Sequence, residues 1–117
     1  MAITSEIIGK LGGGAEMEVV PVDVTASGSM GSEVVFHTVE VPEGETWLVV
    51  AYGNLTSNSA GLYSAQLVIG TTEPPSRAPN GPHGLAHIGT GTINVKLRRN
   101  ASSGSDSFTG HVYTVKI

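Results

Sequence analysis

Val39-Glu40-Val41-Pro42-Glu43-Gly44-Glu45-Thr46-Trp47-Leu48-Val49-Val50 is the run that decides the fold class. It reads as strand, tight turn, strand. Residues 33–41 alternate at period two, with Val35, His37, Val39 and Val41 on one face and Val34, Phe36, Thr38 and Glu40 on the other. Pro42 and Gly44 hold turn positions. Residues 46–54 are apolar on both faces (Trp47, Leu48, Val49, Val50), as a central strand with both faces covered requires.

The same grammar extends in both directions. Residues 17–24 are β-branched but interrupted by Pro21, which cannot donate to a ladder, so they read as an edge strand or a bulge. Residues 25–32 read as a Gly/Ser loop. Residues 62–70 place Tyr63, Ala65, Leu67 and Ile69 on one face, and residues 92–98 place Ile93, Val95 and Leu97 inward. Residues 99–106 read as a polar turn, and residues 108–117 close the fold. Between them, residues 71–91 hold four prolines and four glycines and read as the longest irregular stretch, with a short strand around 85–88. Six to eight strands with short turns predict an all-β fold: an antiparallel β-sandwich over residues 15–117, jelly-roll-like or Greek key.

Residues 1–14 stand apart as an arm. Ile3, Ile7, Ile8 and Leu11 recur at helical spacing, and Thr4 or Ser5 can cap the start. Gly12, Gly13 and Gly14 then stop the helix and form a hinge. Two helical turns are unstable alone in water, so the stripe needs a surface to lie on. That surface is either the chain's own sandwich or a neighbouring subunit, and the triple glycine favours the neighbour.

With 117 residues the chain holds one domain large enough for a real core. Hydrophobic residues are 39% and charged residues 14%, which excludes disorder driven by charge. The net charge is −4, and only Lys96, Arg98 and Arg99 cluster among the basic residues. Three charges neutralise too few phosphates for strong nucleic-acid binding. There is no cysteine, so disulfides and thiolate metal sites are excluded. No apolar run approaches the roughly 20 residues of a membrane helix. The first residues lack the basic and long apolar regions of a signal peptide.

The histidines invite a metal reading. His83 and His87 lie four apart, a spacing that aligns ligands on a helix, but the prolines and glycines around them argue for a solvated loop. His37 and His111 fall in strands and read as surface or subunit-contact residues. No Gly-x-Ser-x-Gly elbow, phosphate-binding lysine loop or glycosidase carboxylate pair is present, and the His-x-His of a cupin barrel is missing. The expectation is a protein that is not an enzyme and holds no cofactor and no metal. Trp47, inside the strongest strand, reads as core or interface before it reads as a sugar platform.

The strand–turn–strand of residues 39–50 resembles one common in small virion proteins of tailed bacteriophages, with Val-Pro-x-Gly-x between two apolar strands. The start Ile7-Ile8-Gly9-Lys10-Leu11-Gly12-Gly13-Gly14 is similar to the short N-terminal arms of that group. The resemblance implies a head decoration or cement protein of the virion. It would be a homotrimer in contact with the major capsid protein or other virion subunits, with no nucleic-acid or membrane partner. The residues expected to bind the partner are Ile3, Ile7, Ile8 and Leu11 on the arm, and Arg77, His83 and His87 on the long loop. Two alternatives stand beside it: a tail, baseplate or fibre-attachment protein, and a carbohydrate- or receptor-binding sandwich module.

Overall fold

The computed structural model describes residues 17–57, 65–74, 80–100 and 104–117. The arm with Ile3, Ile7, Ile8 and Leu11 lies outside these residues, and so does Arg77. The strands are β1 (Met17–Ser27), β2 (Glu33–Glu40), β3 (Trp47–Ser57), β4 (Ala65–Ile69), β5 (Gly81–Gly89), β6 (Thr92–Arg99) and β7 (Ser105–Lys116). They form two antiparallel sheets, ordered β1-β7-β3-β5 and β2-β6-β4, packed as a β-sandwich.

Successive strands alternate between the sheets. β1 pairs with β7, β2 with β6 and β3 with β5, so the chain is one long nested hairpin folded back around β4. Rolling that hairpin brings β3 beside β7 and β4 beside β6. This is the jelly-roll winding. Pro21 lies in β1, at the edge of its sheet, where a missing donor can face away from the ladder. The turn after β2 closes with Glu45 N–H donating to the Pro42 carbonyl at 3.1 Å, and Gly44 takes the left-handed conformation at φ 82°.

The core fills by alternation from both sheets. Val49, Ala51, Leu55, Phe108 and Val112 project from one, and Leu67, Ile69, Ile93, Val95 and Leu97 from the other. Where β3 and β7 cross most closely, Gly53 faces Gly110. A Cβ on Gly53 would lie 2.3 Å from the Thr109 carbonyl oxygen, and one on Gly110 would lie 2.2 Å from that of Tyr52.

Four sequence expectations change. First, the single face read through residues 35–41 is broken by a β-bulge, because the register with β6 steps over Phe36. Val34 and Phe36 pack on the core before it, and Val39 is buried after it. Val35 is thereby turned outward and is 49% exposed. Second, β1 continues to Ser27, into the segment read as a loop, because Asp23 to Ser27 keep pairing with Thr109 to Ser105. Third, the short strand read around 85–88 is there but longer: it is the nine-residue strand β5, which takes up much of the segment read as irregular. Its ladder with β3 is made by backbone, which glycine supplies as well as valine does. Fourth, Arg99 and Asp106 do not belong to a polar turn. Both side chains are fully buried, joined by a hydrogen-bonded ion pair between Arg99 Nη1 and Asp106 Oδ2.

Candidate functional site

The sandwich has two outer faces, and they differ in chemistry. On the three-stranded sheet, Glu33, Lys96 and Arg98 project outward. Arg98 Nε donates to Glu33 Oε2 at 2.9 Å, and its Nη1 donates to Glu73 Oε2 at 2.6 Å. Lys96 Nζ lies 3.5 Å from Glu33 Oε1. The Arg98 hydrogen bond holds the Glu33 carboxyl below its ordinary range, with Lys96 adding to it against a weaker opposing effect of burial. The hydrogen bonds to Glu73 and Glu33 in turn raise the Arg98 pKa. Beyond them, Thr38 Oγ1 donates to Asn94 Oδ1 at 2.9 Å, and Thr92 Oγ1 to Glu40 Oε2 at 2.9 Å. This face is built for water.

The outer face of the four-stranded sheet is apolar at one end. Register places Met17, Val115, Leu48 and Ile88 in one row across the strands, and Val19, Tyr113, Val50 and Ala86 in the next. Val115 and Val50, in the middle strands, are 1% and 7% exposed. Ile88 and Val19, on the flanking strands, are 60% and 40% exposed. Ile117, which follows Val115 by alternation, is 47% exposed. Of the five large hydrophobic residues that are exposed among the described residues, three therefore lie on this face. On the outer face of β3 Val50 is buried beside Val115, although no described strand lies over it.

β5 carries His83 and His87. Their side chains share the inward face with Leu85, while Ala86 and Ile88 point out. Four residues of strand separate them by about 13 Å, too far to share one ion. Both are half-buried. The His87 ring lies against Gly70 and Gly89, where an added Cβ would come within 2.9 and 2.7 Å of Nε2. Its Nδ1 is hydrogen-bonded to Thr72 Oγ1 at 2.8 Å. His87 is thus a strand residue that ties the end of β4 to β5, not a solvated loop residue. No group of three or more His, Asp or Glu residues gathers around a common point among the described residues.

An open cleft of about 610 Å³ lies at one end of the sandwich, lined by Glu18, His37, Glu40, Trp47 and Thr114 among others. Trp47 Nε1 donates to Glu45 Oε1 at 2.8 Å, which fixes the indole at the cleft wall. His111, by contrast, is exposed on the apolar-faced sheet, with its ring 6.2 Å from that of Tyr113.

The structure therefore does not gather the expected partner-binding residues into one described site. Ile3, Ile7, Ile8, Leu11 and Arg77 lie outside the described residues, and His83 and His87 face inward. The surface that sequence reading missed is the apolar outer face. Its signal was present in the two-sided hydrophobicity of residues 46–54. Compared with models of known protein families and with curated proteins, the chain matches none.

Proposed function

We propose that the chain is a structural subunit of a tailed-phage virion, of the head-decoration type, which acts by contact and not by catalysis. The observation that carries this reading is the contrast between the two outer faces. A sheet with a charge-paired outer face suits exposure to solvent. A sheet whose outer face holds Leu48, Val50, Ile88, Tyr113 and Val115 suits burial against protein. The subunit would lie with its four-stranded sheet toward the shell, as a homotrimer, and many weak copies would reinforce the shell by multivalent contact. The arm stripe of Ile3, Ile7, Ile8 and Leu11 adds a second contact, to a neighbouring copy.

The test is co-sedimentation of purified protein with stripped heads of the phage that encodes it. Wild type should pellet with the shells. Ile88→Glu should weaken binding at least about tenfold, equivalent to about 1.4 kcal/mol, while Val35→Glu on the opposite face should not. Absence of co-sedimentation would overturn the decoration reading. Trp47 at the cleft wall favours a second reading, a carbohydrate-binding module. Glycan-array binding that disappears in Trp47→Ala would establish it.

A further inference from the structure

We infer that the outer edge of β5 pairs antiparallel with the same edge of a second copy, about a two-fold axis at Ala86, and joins two four-stranded sheets into one. Alternation fixes which backbone groups of β5 point away from the fold. Ile117 N–H donates to the Thr46 carbonyl at 3.0 Å, so the even-numbered residues of β3 bond to β7 and the odd-numbered ones to β5. Opposite Ala51, Val49 and Trp47 stand Leu85, His87 and Gly89. Gly84, Ala86 and Ile88 therefore aim their N–H and C=O groups outward, and among the described residues no strand lies beyond them.

The other three sheet edges are blunted. On β1 the same alternation puts Pro21 among the outward residues, where it leaves a gap in the donors, and Asp23 adds a charge. β2 is bent by its bulge and carries Glu33 and Glu40. β4 has five residues, and its last, Ile69, exchanges backbone hydrogen bonds with Thr72 at 2.9 and 2.8 Å, so the chain already covers that end. β5 has nine residues, no bulge, and no Asp, Glu, Lys or Arg. Such an edge is a template for another strand.

A second copy fits this edge because β5 is complementary to itself. With Ala86 opposite Ala86, Gly84 lies opposite Ile88 and Ile88 opposite Gly84, and every outward donor meets an outward carbonyl. An axis at Leu85 would set Ile88 against Pro82, which has no N–H. An axis at His87 would set Gly84 against Thr90, beyond the end of the strand. The side chains agree with the Ala86 register. Ile88 is 60% exposed, and it meets a glycine that offers no side chain of its own. Over that glycine lies the ring of Tyr52, whose Cδ2 would be 2.9 Å from a Cβ at position 84. The two-fold turns both apolar outer faces to the same side, and no charged side chain of β5 stands at the seam. The pairing concerns the protein free in solution and does not rest on the shell-binding reading; the trimer of that reading is a separate contact.

Sedimentation equilibrium of the full chain from about 1 μM to about 1 mM should show the mass rising from 12.0 kDa to twice that value. In hydrogen exchange, the Gly84, Ala86 and Ile88 amides should slow at least about tenfold between the dilute and the concentrated sample, while Leu85 and His87, bonded to β3, should not change. In a mixture of isotope-labelled and unlabelled chains, filtered NOEs should connect the Ile88 methyls of one chain to the Tyr52 ring of another. Within one chain Ile88 pairs with Leu48, four strand residues or about 13 Å from Tyr52. Ala86→Pro, which repeats in β5 what Pro21 does in β1 and leaves the ladder with β3 intact, should abolish all three effects. Ala86→Lys, which sets two like charges across the axis, should do the same and serves where the proline variant does not fold. A mass that stays at one chain or settles at three, a slowing that spares these amides, or a dimer that persists in folded Ala86→Lys would each overturn the β5 pairing.

Discussion

Arg99 carries a full charge into the core, and Asp106 meets it there with no solvent on either side chain. Removing one partner takes the ion pair away from a charge that stays buried. Asp106→Ala is therefore expected to destabilise the fold by about 3–5 kcal/mol in denaturant unfolding, and Arg99→Met combined with Asp106→Leu should recover most of that loss. At Gly53 and Gly110 the constraint is steric, because the colliding atoms are backbone and cannot swing aside. Either glycine changed to alanine should cost about 1–3 kcal/mol or more by the same measurement. Glu33 supplies a pH test. Its pKa is lowered when folded, so its stabilisation is complete above the unfolded carboxylate value and fades as pH falls through the lowered one. An NMR titration should place it below an ordinary glutamate, and Arg98→Ala should move it back up. The effect on stability at neutral pH should stay under about 1 kcal/mol, because the pair is partly exposed.

At the scale of elements, β5 is the instructive strand. Its sequence, with Gly81, Pro82, Gly84 and Gly89, has the composition of a loop, yet every residue from Gly81 to Gly89 has a partner in β3. It is an edge strand, so only alternate amides face the ladder. Hydrogen exchange should therefore show alternating slow and fast amides along it; uniformly fast exchange would mean a loop. Thr72→Val, which removes the His87 hydrogen bond, should cost about 1 kcal/mol and raise exchange at the β4 end first. β2 teaches the opposite lesson. Its period-two pattern is real, but one inserted residue at Phe36 exchanges the faces halfway.

For the whole molecule, the winding dominates. The register joins Met17 to Val115 and Glu33 to Arg98, so the first strands wait for the last before they can pair. Pairing at such separations is slow. Refolding should take milliseconds to seconds in stopped-flow fluorescence, with Trp47, the one tryptophan, as the probe. A microsecond phase carrying the full amplitude would contradict the nested topology.

The fold class and the positions of most strands are legible in the chain before it folds. Alternation over residues 92–98 put Ile93, Val95 and Leu97 in the core, and Pro21 marked an edge, because side-chain direction and the proline N–H are local properties of the chain. Only the fold shows that β5 runs the whole length from Gly81 to Gly89 rather than over 85–88 alone, that Val35 points outward, that Arg99 is buried and that one sheet carries an apolar outer face. Each of these depends on which distant residue lies opposite in the register. Ile88 becomes part of a patch only when Leu48, Val115 and Met17 are aligned beside it. Alternation within one strand fixes which side chains share a face, but which distant strand lies alongside is decided only when the whole chain is wound into its two sheets.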